Sequence, residues 1–425
     1  MSKLLFLTGI CCCLVYTTLA QTHPRQFSVA ASPQAAGFSA ERLKKVDSFL
    51  QAAVDKGLAP NAVTFVAHKG QIVHYKAFGY SHLENRTPVK KDDIFRWASQ
   101  TKLITTIALM MLYEEGRFFL DDPISKYIPA FKDAKVLVSY DRHKATYETR
   151  PAATQPTIRQ LLSHATGIPY DHPLDSLLFG GHGFSVFPTG EKSSLETLVN
   201  NIARRPLLHD PGTQFTYGFN TDIAGRLVEI FSGQTLADFF RQRILQPLGM
   251  QDTWFYLPPA KQSRLVELYA LPALDSPIRV SSHNTDRHFA LSNTSTLYMG
   301  GSGLTGPIED YAKICQLILN GGEFNGVRLL SRKTVDLMTR NQIGDALVWD
   351  RNDKFGLGLQ IITADTHYGD PASPGSLTWG GAYCSEYTID PKEDLILLVY
   401  TNAMPYAYYG EFVRKFRILV YQALN

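Results

Sequence analysis

Ser99 and Lys102 are the two residues of this chain whose types and spacing most clearly predict chemistry. They lie in residues 95–102 (FRWASQTK), and the apolar run 103–113 (LITTIALMMLY) follows at once. Side chains three residues apart share one face of a helix, with Cβ atoms about 5–6 Å apart. A serine hydroxyl becomes a good nucleophile only when a neighbouring base accepts its proton, and a lysine can be that base because burial disfavours its ammonium form. The segment therefore predicts a serine nucleophile with a lysine base, at the positive end of a helix dipole.

The S-x-x-K pattern is weak by itself, because a chain with this many serines matches it about once by chance. Ser99 is the only serine of the chain with a lysine three residues later. The alternative interpretation is a serine that caps a helix, beside a solvated lysine one turn on. The choice between the two depends on the rest of the sequence.

Length and composition predict a globular protein with a large core. The chain has 425 residues, enough for two domains or for one domain with a large insertion. Charged residues make up 19% and hydrophobic residues 44%, which is an ordinary globular balance. The net charge of +3 comes with no long basic run, so we expect no nucleic-acid partner.

Residues 1–20 have the pattern of a secretory signal peptide. Lys3 precedes an uncharged apolar stretch that ends in small residues at Ala20. The stretch is short for a membrane span of about 20 residues, so we expect cleavage after Ala20 and no stable membrane span afterwards. The sequence thus predicts a periplasmic or secreted protein.

Cysteines and histidines indicate neither a disulfide framework nor a metal site. Cleavage would leave only Cys315 and Cys384, which we interpret as buried thiols rather than a bridge. The twelve histidines contain no H-E-x-x-H pattern, and no serine lies in G-x-S-x-G, the turn that an α/β-hydrolase requires. We expect no metal and no cofactor, and we expect His164 to be a hydrogen-bonding group at a helix end rather than a base.

Periodicity along the chain predicts a sheet assembled from both termini. Residues 62–68 and 71–77 read as a hairpin, and 384–389 and 395–401 as two further strands. The predicted helices are 40–57, 157–163, 195–204, 221–232, 236–246, 307–320, 331–339 and 411–423. We therefore predict an α/β (α+β) fold, with an antiparallel sheet flanked by helices and a large, mainly helical inserted domain.

The predicted boundaries follow from this reading. They are a signal peptide at 1–20, an N-terminal arm at 21–38, a sheet domain at 39–116 plus 336–425, and a mainly helical domain at 117–335.

Several motifs resemble those of the serine β-lactamase and penicillin-binding superfamily. The motifs beyond Ser99 and Lys102 are 157–167 (TIRQLLSHATG), 211–217 (PGTQFTY), 247–252 (PLGMQD), 300–304 (GGSGL) and 379–382 (WGGA). Their order and spacing together are specific, although each motif alone is common. The resemblance runs from about residue 40 to about 402, and it is strongest to the branch of class C β-lactamases and family VIII carboxylesterases. It implies a β-lactamase/DD-peptidase-like fold.

The resemblance also implies roles for individual residues. Ser99 would form the acyl-enzyme, Lys102 would be its proton partner, and Tyr217 would shuttle protons between nucleophile, lysine and leaving group. The backbone N–H of Ala382 would form the oxyanion hole together with that of Ser99. The alternative for Tyr217 is an ordinary core aromatic.

Two departures from the family pattern indicate an esterase rather than a β-lactamase. Trp379, followed by Gly380 and Gly381, stands where the family usually has a cationic residue that faces the substrate carboxylate; the alternative is that Trp379 only packs at a domain seam. The family's asparagine two residues after the tyrosine is Phe219 here, and Asn220 comes next. We expect contacts with substrate from Trp379, Gly380, Gly381, Phe219 and Asn220. A one-residue shift would bring Asn220 into the role of the family's asparagine.

The sequence therefore predicts an exported serine hydrolase, with a carboxylesterase acting on small or medium esters favoured. A β-lactamase or a D-amino-acid or cell-wall peptidase is the alternative within the same chemistry, and a transesterase or amidase is also possible. A protein that only binds peptidoglycan is the alternative outside it. The partner would be a small ester, amide or lactam substrate, and the oligomeric state is left open.

Overall fold

The fold is taken from a computed structural model that describes residues 26–180, 193–292, 294–349, 351–366, 369 and 371–425. The predicted signal peptide and the start of the predicted arm lie outside the described residues. Among the described residues, no helix combines the length and the apolar character that a bilayer crossing requires.

The strands cluster near the two ends of the chain. In chain order they are β1 Ser28–Val29, β2 Asn61–His68, β3 Gln71–His82, β4 Thr87–Pro88, β5 Phe95–Arg96, β6 Lys135–Asp141, β7 Thr146–Pro151, β8 Tyr269–Leu271, β9 Arg279–Val280, β10 Thr305–Gly306, β11 Glu323–Phe324, β12 Val327–Arg328, β13 Lys354–Phe355, β14 Gln360–Ile361, β15 Leu377–Gly381, β16 Ser385–Asp390, β17 Leu395–Tyr400 and β18 Ala403–Tyr406.

The helices are spread along the whole chain. The α-helices are α1 Ala40–Asp55, α2 Thr101–Glu114, α3 Ile158–Leu162, α4 Asp175–Phe179, α5 Leu195–Ala203, α6 Asn220–Ser232, α7 Leu236–Phe240, α8 Pro259–Gln262, α9 Asn284–His288, α10 Ile308–Leu319, α11 Arg332–Met338 and α12 Tyr409–Tyr421. Short 3₁₀ helices lie at Gln34–Ala36, Ala98–Gln100, Ile124–Lys126, Pro129–Phe131 and Phe289–Leu291, and a π-helical turn at Arg241–Leu245.

One large sheet joins the two ends of the chain, as the sequence predicts. Its order is β1-β3-β2-β17-β16-β15-β14-β13, with β4 added beside β3. All neighbours are antiparallel except β1 and β3. The two ends meet where β2 pairs with β17, with Phe65 opposite Leu398. Strands from opposite ends of the sequence are therefore central partners in one sheet.

Both faces of this sheet are covered, which explains why every residue of β2 and β17 is buried. On one face, α1 and α12 contribute Val46, Leu50 and Phe412 to a cluster with Val66 and Leu397. On the other face, α2 and α10 pack in a larger core that also takes in the helices between β5 and β13. Continuous apolar strands are what a sheet with two covered faces requires.

The predicted helix starts are supported by local capping. The Ser39 hydroxyl accepts a hydrogen bond from the Arg42 N–H at the start of α1. Thr157 and Gln160 form a reciprocal capping box at the start of α3. Such caps satisfy N–H groups that the first helical turn leaves without a partner.

One feature differs from the sequence expectation, and one prediction about the cysteines is confirmed. The middle of the chain contains a two-stranded hairpin of β6 and β7, which the sequence analysis did not predict. Most of its side chains are exposed on both faces, so the hairpin has no alternating apolar pattern. Cys315 and Cys384 are both buried free thiols, which confirms the prediction made for them.

Candidate active site

Ser99 lies in a tight 3₁₀ turn, Ala98–Gln100, directly before α2. Ala98 has φ of 45°, a left-handed conformation that costs a residue with a Cβ about 1–3 kcal/mol. Two buried tyrosines fix the turn by hydrogen bonds. The Tyr311 hydroxyl donates to the Gln100 carbonyl at 2.9 Å, and the Tyr400 hydroxyl donates to the Gln100 side chain. The buried core therefore maintains a strained turn that presents Ser99 at the end of a helix.

Lys102 is the residue that the structure brings against this serine. Its side chain lies in the first turn of α2 and is 1% exposed. The Nζ atom is 3.2 Å from Ser99 Oγ, 2.7 Å from the Tyr170 hydroxyl and 2.7 Å from the Gly301 carbonyl oxygen. Three acceptors match the three N–H bonds of an ammonium group.

The same contacts also suit the neutral amine. The Gly301 oxygen can only accept, so it takes one N–H, and the Tyr170 oxygen can take the second. The nitrogen lone pair is then left for the hydroxyl proton of Ser99. The site can therefore hold Lys102 in either protonation state without exchanging its partners.

Tyr217 lies on the other side of the lysine and lines the same cavity as Ser99. Its ring centroid is 4.8 Å from Lys102 Nζ, and its ring packs edge-on against that of Tyr170 at 5.4 Å. The Trp379 indole N–H donates to the Tyr217 hydroxyl at 3.3 Å. The structure thus brings Ser99, Lys102, Tyr217 and Trp379 together, although 162 residues separate the last two.

A cavity of about 510 Å³ opens beside Ser99 and runs along the edge of β15. The neighbouring strand β14 pairs only with Leu377 and Thr378, so residues 379–381 border the cavity. A Cβ at Gly381 would lie 2.2 Å from the Trp97 carbonyl oxygen, and one at Gly380 would lie 1.9 Å from a Glu386 carboxylate oxygen. Gly381 therefore allows β15 to pack directly on the turn that carries the nucleophile, and Gly380 leaves room for the Glu386 side chain.

The peptide between Gly381 and Ala382 is held in one orientation. Its carbonyl oxygen accepts the Cys384 N–H at 2.9 Å and is 3.2 Å from the Tyr409 hydroxyl. Because the carbonyl and N–H of a trans peptide point in opposite directions, the Ala382 N–H is directed away from these two groups. Ala382 lines the same cavity as Ser99.

The sequence analysis missed Asp222, whose buried carboxyl group lies close to Lys102. It lies in α6 with no exposed surface, and its Oδ1 accepts the Gly301 N–H at 2.9 Å. Burial raises its pKa to about 6, against the opposing effects of the Lys102 charge and of the Gly301 hydrogen bond. Asp222 and Lys102 thus bind the N–H and the carbonyl of the same glycine.

Tyr170 was missed as well, because nothing in its local spacing distinguishes it from other tyrosines. It comes three residues after the motif 157–167, and it reaches the lysine only through the packing of that loop. Burial raises the pKa of its phenol well above the ordinary value, so the group is a neutral hydroxyl at physiological pH.

His164 serves as a hydrogen-bonding group in the structure. It is buried, and burial followed by the Lys102 charge lowers its pKa well below the ordinary value. Its Nδ1 lies 3.0 Å from the Asn220 amide nitrogen. The imidazole is therefore neutral and already hydrogen-bonded to Asn220, which agrees with the expectation that His164 is not a base.

Phe219 and Asn220 lie away from the cavity. Phe219 is fully buried, with its ring 4.7 Å from the Tyr170 ring. The Asn220 amide contacts His164, the Ile168 carbonyl at 3.2 Å and the Thr166 hydroxyl. The structure thus places both in the packing behind Tyr217, and we do not retain the substrate contact that the sequence predicted for them.

Metal binding finds no support in the described ranges, where no group of three or more His, Cys, Asp and Glu side chains could hold an ion.

Comparisons with known proteins identify the family of this chain. A family model described as Beta-lactamase matches residues 46–421. Lovastatin esterase of Penicillium rubens is 30% identical over 375 residues, covering 82% of this chain and 90% of that protein. A putative D-alanyl-D-alanine carboxypeptidase of Escherichia coli K12 is 29% identical over 402 residues, covering 88% of this chain and 85% of that protein.

A solved structure described as EstCE1, a hydrolase with promiscuous acyltransferase activity, is similar over most of its length. It has a TM-score of 0.75 at 25% identity, covering 90% of this chain and 99% of that chain. The resemblance inferred from the motifs is thereby confirmed. The chain belongs to the β-lactamase family of serine hydrolases.

Proposed function

We propose that this protein hydrolyses carboxylic esters through a covalent acyl-enzyme formed at Ser99. The observation that carries the proposal is the 3.2 Å contact between Ser99 Oγ and the buried Lys102 Nζ, beside a cavity of about 510 Å³. A buried amine with its lone pair on a hydroxyl is a general base for that hydroxyl.

The reaction proceeds in two halves. Neutral Lys102 accepts the proton of Ser99 while Oγ attacks the ester carbonyl carbon. The oxyanion that forms is bound by the backbone N–H groups of Ser99 and Ala382, and such a donor typically contributes about 10²–10³ in rate. The carbon–oxygen bond to the alcohol then breaks, and the proton reaches the alkoxide through Tyr217. Water attacks the acyl-enzyme, the same groups move its proton to Ser99, and the acid is released.

The two tryptophans of the cavity lining favour an uncharged ester group at their part of the wall; the rest of the lining includes Arg351, Arg414 and Arg417. Trp379 lies where the family usually has a cation, and its largely buried indole stacks with the half-exposed indole of Trp349 at 5.4 Å. Two indoles form an apolar wall, which suits uncharged acyl or alcohol groups better than a carboxylate. The similarity to lovastatin esterase and to EstCE1 supports the same choice. Transfer of the acyl group to an alcohol instead of water is compatible with this chemistry.

Peptidase or β-lactamase activity is the second candidate, since a putative D-alanyl-D-alanine carboxypeptidase is a relative at 29% identity. The two are separated by comparing 4-nitrophenyl butyrate, a chromogenic cephalosporin and a peptide ending in D-Ala-D-Ala. We expect the ester to have the highest kcat/KM. Turnover of the cephalosporin or peptide that far exceeds turnover of the ester would contradict the esterase assignment.

Covalent labelling tests the nucleophile and distinguishes an enzyme from a protein that only binds its ligand. We expect a fluorophosphonate to add one adduct to the wild-type protein, as measured by intact mass. The adduct should be absent in Ser99→Ala and present in Ser48→Ala, which removes an exposed hydroxyl from α1. An unlabelled wild-type protein would support a non-catalytic binding function.

We also infer that the protein is exported. Support comes from the sequence of residues 1–20, with Lys3, an uncharged apolar stretch and small residues before the proposed cleavage site. N-terminal sequencing of the protein from its native host should find a chain that begins near Gln21. A chain that retains Met1 would contradict cleavage.

A further inference from the structure

Trp349 is an aromatic residue of the cavity wall to which neither the family motifs nor the proposed mechanism gives a role. It lines the cavity together with Ser99 and Tyr217, and half of its surface (50%) is exposed. Its indole stacks on that of Trp379, with centroids 5.4 Å apart and planes 17° apart. The guanidinium carbon of Arg351 lies 5.7 Å from the ring centroid. Trp349 therefore extends the wall of Trp379 towards the cavity mouth.

The backbone at Trp349 is in a conformation that disfavours a large residue. Its φ is 53°, in the left-handed region, within a tight turn closed by the Arg351 N–H and the Val348 carbonyl at 3.1 Å. Glycine or asparagine would adopt this conformation at lower cost. A half-exposed side chain on a strained backbone contributes little to the stability of the fold. Strained residues of this kind are concentrated at ligand-binding sites.

The position of Tyr217 indicates which part of an ester would reach this wall. In the proposed reaction Tyr217 delivers the proton to the departing alkoxide, so the alcohol oxygen must come within hydrogen-bond distance of its hydroxyl. That hydroxyl is 3.3 Å from the Trp379 indole nitrogen. The group attached to the alcohol oxygen therefore starts at Trp379, and Trp349 is the next side chain outwards along the stack.

We propose that Trp349, with Trp379, forms a binding site for a flat apolar ring on the alcohol side of the ester. The inference rests on the proposed esterase function and names its substrate class: esters of alcohols that carry an aromatic or fused ring. An indole face binds such a ring by offset stacking and by burial of apolar surface.

Two isomeric esters test which side of the substrate the wall contacts. The ring of 2-naphthylmethyl acetate is on the alcohol side, and that of methyl 2-naphthylacetate is on the acyl side. Hexyl acetate serves as an ester of similar reactivity without a ring. Trp349→Gly removes the indole and suits the positive φ, so the variant adds no backbone strain.

We expect Trp349→Gly to lower kcat/KM for 2-naphthylmethyl acetate by about tenfold, mainly through KM, as expected for loss of an aromatic stacking partner. The change for hexyl acetate and for the acyl-side isomer should be below about threefold, since neither places a ring on the wall. Trp349→Phe, which keeps a ring, should stay within about threefold of wild type on all three esters.

Phe119→Ala, which removes another exposed aromatic (75% exposed) that does not line the cavity, is the matched control and should change none of these values. Equal losses on all three esters, or a larger loss on the acyl-side isomer, would overturn the inference.

A binding measurement separates this inference from the hydrolase proposal. In a Ser99→Ala background, calorimetry should show that 2-naphthylmethyl acetate binds about tenfold more weakly when Trp349 is also glycine. If wild-type protein hydrolyses no ester but this difference is found, the hydrolase proposal fails and the ring-binding site remains. If the affinities are equal, the ring-binding site is refuted whatever the activity.

Discussion

Replacing Asp222 with asparagine should change how the stability of the fold depends on pH. The side chain has no exposed surface, and burial raises its pKa to about 6 from an ordinary 3.8. Below pH 3.8 the carboxyl is protonated in both the folded and the unfolded chain. Between 3.8 and 6 the unfolded chain releases this proton first, so the unfolded chain binds fewer protons and the free energy of unfolding falls as pH rises. Above pH 6 the carboxyl is ionised in both states, and the stability that proton binding by Asp222 adds to the folded protein is lost.

The size of the effect follows from the two pKa values. The difference between about 6 and 3.8, at about 1.4 kcal/mol per pH unit, corresponds to about 3 kcal/mol of unfolding free energy. Asparagine keeps an oxygen for the Gly301 N–H but places an amide where, among the described residues, Oδ2 has no hydrogen-bond partner. That change costs about 1–3 kcal/mol at every pH. This cost shifts the unfolding free energy of the variant by the same amount at every pH, and it leaves the pH dependence unchanged.

Denaturant unfolding of wild type and Asp222→Asn from pH 4 to pH 8 measures the pH dependence of the unfolding free energy. The free energy of unfolding of the variant minus that of wild type should rise by about 2.4 kcal/mol across this range, because part of the full change of about 3 kcal/mol lies below pH 4, and the midpoint of the full change should lie near pH 5. Asp365→Asn, which changes an exposed carboxyl, is the control. A difference between variant and wild type that stays constant with pH would refute the buried, proton-binding state of Asp222.

Catalysis supplies a reason for retaining this costly group. In the proposed mechanism Ser99 passes its proton to Lys102, and the ammonium ion that forms there is favoured by the charge of the nearby ionised Asp222. At pH 7.5, Asp222→Asn should therefore lower kcat for 4-nitrophenyl butyrate while the fold persists. An unchanged kcat would show that the Asp222 carboxylate does not stabilise the Lys102 ammonium during the reaction.

Three further substitutions test the site. Lys102→Met should lower kcat/KM for 4-nitrophenyl butyrate by about 10²–10⁴-fold with the fold retained, measured with thermal unfolding alongside, because the serine loses its base; a loss below tenfold would rule out the lysine as that base. Tyr170→Phe should lower kcat by about tenfold, since the Lys102 ammonium loses one of three acceptors and a hydrogen bond to a charged group contributes about 1.5–3 kcal/mol; unchanged kcat would contradict this. Gly380→Ala should lower the melting temperature and kcat/KM together, because its Cβ would lie 1.9 Å from the buried Glu386 carboxylate. A variant as stable as wild type would show that the Glu386 side chain moves aside without cost.

Features that depend on neighbouring residues could be predicted from the sequence. The spacing of Ser99 and Lys102, the capping serine before α1 and the apolar strands at both ends of the chain all produce local structure. Asn220 shows where such reasoning failed. On a helix each residue turns by about 100°, so an asparagine displaced by one position faces the packing behind Tyr217 instead of the cavity.

The amino-acid sequence alone determined the family, the strands contributed by the two ends of the chain and the serine–lysine pair, because these follow from contacts within a few residues and from motif order. Only the tertiary structure brought in Tyr170, 68 residues from Lys102, and the carboxyl of Asp222. It also placed Trp349 on Trp379. The physical reason is that side chains distant in sequence meet only after the sheet and helices have packed, and no local pattern encodes which of many similar tyrosines, aspartates or tryptophans will do so.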